Sequence, residues 1–259
     1  RGPGGWRQGC IPEVEIDFCD ISTIDVSDPS FQEVLRNHSL MHRPLRITGV
    51  WRDEDEASRK IWSKEGLSAA SDHLGKFKVF RQRGGKKDSL QMHLSDYIDF
   101  MESHDPLLDK NPDWLVEFGL QAGHPLVDSH NEVVRRSIPH LFVDGNEEHY
   151  NEEHYLGLAN YQFMLAPALT GASPHFHYTS FRSMVYGRAR WFLWPPARAF
   201  YSTRDIYDWY IHDYASLPED SRPLECVQGP GELLFVPALW GHGVLYLEDT
   251  IGMASLLRA

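Results

Sequence analysis

His175 and His177 stand two apart in Ser173-Pro174-His175-Phe176-His177, and His242 follows 65 residues later in Trp240-Gly241-His242. Side chains two apart on an extended chain point to the same face of a sheet, so both imidazoles are expected on one side of a strand. A barrel that brings the strand before His242 alongside sets three nitrogen ligands around one ion and leaves other coordination positions open. Any single histidine is commonplace. The weight lies in the combination of His-x-His, then Gly187-x-x-Arg190-Trp191, then Pro230-Gly231-Glu232 followed by Pro237, Trp240 and His242.

Positioning these residues falls to the second half of the chain. Tyr161, Phe163 and Leu165 alternate as a strand, residues 184–186 and 191–194 flank a turn at Gly187, and residues 233–236 and 244–247 flank another. Pro167, Pro195-Pro196, Pro230-Gly231 and Pro237 punctuate them. Strands divided by turns, without helical crossovers of regular length, predict antiparallel sheets closing on themselves, with a helix inserted over 203–214. Trp191, Phe192, Trp194 and Trp240 are expected in the barrel core.

The first half reads as mixed helix and strand. Asp28 is expected as an N-cap with Pro29 in the first helical position, ahead of Phe31, Val34 and Leu35. A strand follows at Leu45 and Ile47, then a helix capped by Ser63 and stopped by Gly75. Phe77 and Val79 read as a strand running to a turn at Gly84-Gly85, and Ser95 opens a helix with Tyr97, Ile98 and Met101 on one side. No linker separates the halves. One domain over 1–259 is expected, with 1–155 flanking the barrel and 156–259 forming its core.

Composition bounds the function. The 259 residues carry 25 Lys and Arg against 37 Asp and Glu, a net charge of −12, with 42% hydrophobic and 24% charged residues, ordinary for a globular protein. The longest apolar run, residues 233–240, is far short of the roughly 20 residues that span a bilayer. An isoelectric point near 5.6 argues against nucleic acid as a partner.

The remaining candidates read as structural. Cys10, Cys19 and Cys226 cannot all pair with one another and include no C-x-x-C, which disfavours a cysteine zinc site. A Cys10–Cys19 disulfide and free buried thiols fit the spacing equally. The start at Arg1 rather than Met leads us to expect a removed upstream segment such as a secretion signal. Asn37-His38-Ser39 is a glycosylation acceptor pattern, and together these hints favour a secretory compartment. Six basic residues between Lys76 and Lys87 read as a solvated hairpin. Asn-Glu-Glu-His-Tyr occurs in tandem at 146–150 and 151–155, and its five-residue period suits neither a helix face nor a strand face, so it reads as a solvated acidic loop. Glu232, ten residues before His242 at the far end of the intervening strand, reads as a turn residue.

Residues 160–256, with Arg43-Pro44-Leu45-Arg46-Ile47-Thr48-Gly49 and Leu94-Ser95-Asp96-Tyr97-Ile98, resemble the jumonji-C (JmjC) branch of the 2-oxoglutarate oxygenases. The resemblance is carried by Gly5-Trp6-Arg7, His175-Phe176-His177 and the runs at 186–196 and 217–226; it covers nearly the whole chain and is strongest from Pro174 on. It implies a mainly β fold with flanking helices, the double-stranded β-helix (cupin, jelly-roll) barrel. It also implies a glycoprotein of the endoplasmic-reticulum lumen.

In active members of that family iron(II) is held by His-x-Asp/Glu and a distal His. By position these match His175, His177 and His242, so the carboxylate is replaced by imidazole. Imidazole sites also suit zinc, nickel and copper, which opens the identity of the metal. The lysine that usually meets the 2-oxoglutarate carboxylate, in a Gly-x-Lys turn, is Ala189 here, and the hydroxyl residue common three positions before the first ligand is Ala172. Arg182, Arg188 and Arg190 are the available replacement cations. Arg188 and Arg190 flank Ala189 and should point away from it, whereas Arg182 shares a face with the ligands.

Three functions are thus open. One is an Fe(II)/2-oxoglutarate-dependent protein hydroxylase. Another is a degenerate JmjC pseudo-oxygenase acting as a lumenal protein-interaction or regulatory protein, and the last is a three-histidine cupin dioxygenase that does not use 2-oxoglutarate. A monomer is expected, because the C-terminal helices with which many jumonji hydroxylases dimerise do not follow the last strand.

Overall fold

Alternating side chains in the second half of the chain sort themselves between two facing sheets. The computed structural model describes residues 2–8, 18–83, 86–103, 114–121, 123–138 and 158–257; Cys10, the Gly84-Gly85 turn and the tandem repeat at 146–155 lie outside them. The first half contributes β1 (Thr23–Asp25), α1 (Phe31–Leu40), β2 (Leu45–Thr48), α2 (Glu56–Lys60), α3 (Lys64–Leu74), β3 (Lys76–Arg83), β4 (Lys86–His93), α4 (Leu94–Ser103), β5 (Trp114–Leu120) and α5 (Pro125–Ser137). The second half contributes β6 (Leu158–Ala166), β7 (Gly171–His175), β8 (Ser180–Tyr186), β9 (Ala189–Trp194), α6 (Ile206–His212), β10 (Leu224–Gln228), β11 (Leu233–Val236), β12 (Gly241–Tyr246) and β13 (Thr250–Leu257). A nine-stranded sheet runs β1-β2-β11-β8-β13-β6-β5-β3-β4, and a four-stranded sheet runs β10-β9-β12-β7. From β7 to β13 the chain passes back and forth between the two, which is the jelly-roll form of the double-stranded β-helix. Strands from both halves share the large sheet.

Period two decides what each strand buries. Met184, Ala189, Trp191, Leu193, Leu234, Val236, Val244 and Tyr246 form one cluster between the sheets. Phe181, Val185, Leu233 and Phe235, on the other face of the large sheet, join Trp62, Leu67, Phe77, Ile98 and Val133 of the helical layer. Phe192 and Trp194 correct the expectation of a barrel-core position. They sit opposite Trp191 and Leu193 on β9, so alternation turns them outward onto Ile206 and Trp209 of α6.

Helix ends follow local chemistry. The Ser63 hydroxyl accepts from the Gly66 N–H at 3.0 Å to open α3, and Gly75, at φ 78°, stops it. α1 begins at Phe31, with Ser30 and not Asp28 ahead of it. The Asp28 carboxylate instead accepts from the Ser30 N–H (2.8 Å) and hydroxyl (2.7 Å), a local turn that leaves Pro29 outside the helix.

Cys19 is bonded to Cys226, 207 residues away. This replaces the Cys10–Cys19 alternative: sequence spacing cannot register a partner delivered by closure of the barrel. The segment around it bridges the sheets. Val227 donates to the Phe18 carbonyl and Asp20 to the Glu225 carbonyl, both at 2.7 Å, which lays residues 18–20 along β10. A few residues later β1 pairs in parallel with β2 in the large sheet.

His130 of α5 is a buried titratable group of the helical layer, with Nδ1 3.1 Å from the Asn131 side-chain oxygen and Nε2 without a partner. Burial pushes its pKa from 6.5 down to about 4. Between those values the unfolded chain binds a proton that the folded chain refuses, so stability falls as pH drops through this window. At roughly 1.4 kcal/mol per pH unit the full loss is about 3 kcal/mol. Urea midpoints measured from pH 7 to pH 4 should decline accordingly, and His130→Gln should flatten the decline.

Candidate metal centre

β7 and β12 are hydrogen-bonded neighbours, with His242 directly across from His175 and Val244 across from Ala172. Two residues separate Ala172 from His175 where one separates Val244 from His242, so β7 carries a bulge. The extra residue returns His175 to the inner face occupied by Ala172. His177 lies beyond the end of β7, and its carbonyl accepts from the Leu239 N–H at 2.9 Å. Ring centroids are 4.2 Å apart for His175 and His242, 4.6 Å for His177 and His242, and 5.3 Å for His175 and His177. One ring nitrogen from each lies within 4.8 Å of the others.

The anchoring of these rings settles what they can bind. Nδ1 of His175 meets the Ser173 carbonyl at 2.7 Å, Nδ1 of His177 the Tyr178 carbonyl at 2.7 Å, and Nδ1 of His242 the Trp240 carbonyl at 2.9 Å. A carbonyl only accepts, so each Nδ1 carries the proton and each Nε2 presents a lone pair. Nε2 of His242 and Nε2 of His177 then face each other at 3.2 Å, a contact that a shared proton or a bound metal ion can bridge. Burial first, and then the two neighbouring imidazoles, hold the His242 pKa well below the ordinary histidine value, so this ring is neutral at physiological pH, the form that ligates metal. The donor set fits one divalent ion with three imidazole ligands, each backed by a hydrogen-bonded carbonyl.

Of the three candidate arginines only Arg182 enters the barrel. One guanidinium nitrogen donates to the Tyr246 hydroxyl at 2.7 Å, another approaches the Met164 sulfur, and Nε is buried without a partner. Among the described residues no carboxylate pairs with it. Arg188 is committed to Glu248 at 2.7 Å. Arg190 is committed to Glu225 at 2.5 Å and to the Tyr210 hydroxyl at 2.9 Å, on the outer face of β9. Ala189, between them, faces inward directly across from Tyr246. Positive charge at this end of the barrel therefore comes from β8. Glu232 accepts from the Gly229 N–H at 2.8 Å and closes the turn before β11.

Tyr246 and Gln228 escaped sequence reasoning. Buried Gln228 donates to the Arg182 carbonyl at 2.7 Å and accepts from the Trp191 indole at 3.0 Å, tying the strand of Arg182 to the ring that packs on His242. Tyr246 had a legible signal: it lies four residues after His242 on one strand, hence on the same face. Gln228 had none.

The barrel brings three histidines together at the end of β7 and on β12, and the chain belongs to the JmjC domain family. It is 35% identical over 265 residues to JmjC domain-containing protein 8 of Homo sapiens, covering 99% of this chain and 91% of that protein. The bifunctional arginine demethylase and lysyl-hydroxylase psr-1 of Caenorhabditis elegans is 25% identical over 256 residues, covering 90% of this chain and 60% of its own. The crystal structure of Escherichia coli ribosomal oxygenase YcfD superposes with a TM-score of 0.51 at 16% identity over 95% of this chain, which supports the fold alone. This chain spans about half the length of that structure, 54%. No family model matches the chain.

Protein purified without chelators should carry close to one equivalent of divalent metal by elemental analysis. His175→Ala and His242→Ala should each lower that content at least about tenfold, while Arg188→Ala should leave it unchanged.

Proposed function

We propose that this protein is an iron(II)- and 2-oxoglutarate-dependent oxygenase that hydroxylates a protein side chain. His175, His177 and His242 hold the metal, and Arg182 with Tyr246 takes the distal carboxylate of 2-oxoglutarate. The observation that carries this reading is Arg182 itself, a buried guanidinium with an unpartnered Nε and, among the described residues, no carboxylate paired with it. Such a charge is costly to bury without an anion. The pseudo-oxygenase reading and the dioxygenase without 2-oxoglutarate both leave it unexplained. The likeness to psr-1, an arginine demethylase and lysyl-hydroxylase, supports the same chemistry.

When bound, the iron supplies activation of dioxygen, and the net reaction converts 2-oxoglutarate, dioxygen and a C–H bond into succinate, carbon dioxide and an alcohol. The chain's own residues bind and shield. Neutral imidazoles leave the charge of the ion uncompensated, so a dianionic co-substrate is drawn to the ion and the guanidinium together. Trp191, Leu193 and Val244 are fully or almost fully buried in the same cluster and exclude water from the reacting centre. Zinc, nickel and copper compete for an all-imidazole site. The Cys19–Cys226 bond and the exposed acceptor Asn37 support an oxidising, lumenal compartment with glycosylation.

Titration of 2-oxoglutarate into metal-loaded protein should show saturable binding, and iron with dioxygen should release succinate. Arg182→Met should raise the 2-oxoglutarate dissociation constant at least about tenfold, and Arg188→Ala should not. Absence of binding at millimolar concentration would overturn the reading.

A further inference from the structure

Four loops are stitched around the imidazoles. The Leu239 N–H donates to the His177 carbonyl at 2.9 Å, the Trp240 indole to the His42 carbonyl at 2.8 Å, the Tyr201 hydroxyl to the Phe176 carbonyl at 2.9 Å, and the Ser202 N–H to the Pro174 carbonyl at 2.8 Å. Segments 40–44, 174–179, 195–204 and 237–241 thereby form one rim.

This rim is apolar where a surface should be polar. Leu40, Met41, Tyr178, Tyr201 and Leu239 are five of the nine exposed large hydrophobic side chains among the described residues, and four of the five are more than 60% exposed. Scattered singly such residues need no explanation, but gathered around one opening they mark a contact surface. The backbone is also held in an uncommon state here. His42 (φ 49°) and Leu239 (φ 66°) are two of the three non-glycine residues with positive φ among those described. Leu239 is pushed into solvent by a conformation that a leucine rarely adopts, which fold stability alone does not favour.

Charge identifies the partner. None of the 37 acidic residues falls in the four rim segments, although the chain carries a net charge of −12. Arg43, Arg198 and Arg204 do, with Arg204 lying 3.4 Å from Asp213 of the next segment. Behind the rim stand Arg182 and the three histidines. An acidic polypeptide meets net negative charge on the chain as a whole but arginines without acidic residues along these segments.

We infer that the rim is a docking surface for an acidic polypeptide segment bearing apolar side chains, presented to the site inside; as a substrate surface this rests on the function proposed above. The test uses the full-length chain and fluorescence anisotropy with three labelled twelve-residue peptides. The first alternates Glu with Leu and Phe, the second has Lys for each Glu, and the third has Ser for each Leu and Phe. The first should bind at least about tenfold tighter than either of the others and weaken as salt rises. Leu239→Asn, which keeps a residue tolerant of positive φ, should weaken it several-fold, as should Tyr178→Ser and Arg43→Glu, with metal content and 2-oxoglutarate affinity unchanged in all three. Equal binding of the three peptides, or unaltered affinity in the variants, overturns the inference. So does a wild-type dimer by light scattering that Leu239→Asn dissociates, because the rim would then face a second copy. Loss of 2-oxoglutarate binding with peptide selectivity intact would instead sink the proposed chemistry and leave the surface standing.

Discussion

Two imidazole nitrogens, Nε2 of His177 and Nε2 of His242, are turned toward each other and held 3.2 Å apart. Three backbone carbonyls fix the rings from behind, a bulge in β7 sets the register that brings His175 opposite His242, and the turn after β7 returns His177 to the same opening. Each of these features spends backbone hydrogen bonding on orientation. Together they make an arrangement of three ring nitrogens, within 4.8 Å of one another, that fits a single cation.

The charge pattern around that centre is a second expression of the same demand. Arginines on the outer faces of the barrel are matched with Glu248 and Glu225, as partly buried guanidinium groups ordinarily are. Arg182, deeper than either, is matched with a phenol and a thioether. Burial raises the value of any anion that arrives there, because the local dielectric is low and water is scarce. Gln228 hydrogen-bonds the Arg182 backbone carbonyl and the Trp191 indole, whose ring packs on His242, so the strand of Arg182 and the histidine cluster are held in one frame.

Much of this was legible in the residues. His-x-His on an extended chain, an apolar strand leading to Trp-x-His, and period-two alternation were enough to place three histidines together and to turn Arg182 inward and Arg188 and Arg190 outward. The same alternation places Phe192 and Trp194 opposite Trp191; reading all of them as barrel core counted their hydrophobicity and overlooked the parity. α5 went unseen because it opens on His124 accepting from Leu126, not on a serine, threonine or acidic cap, although Leu126, Val127, His130, Val133 and Val134 have helical spacing. The partner of Cys19 was beyond reach. It depends on which strand ends at the edge of the small sheet, a property of closure that no local spacing encodes.

That bond closes residues 19–226 into a covalent ring. Helices α1–α6 and strands β1–β9 lie within the loop from Cys19 to Cys226, and β11, β12 and β13 follow it. On the loop-entropy account a ring of this size removes roughly 5 kcal/mol of disorder from the denatured chain. Cys19 must also wait as a thiol while the ribosome makes everything up to β10, so the sulfur chemistry is one of the last acts of maturation. A protein synthesised under reducing conditions would assemble the same barrel from an open thread, and its resistance to denaturant would report its redox history as much as its packing.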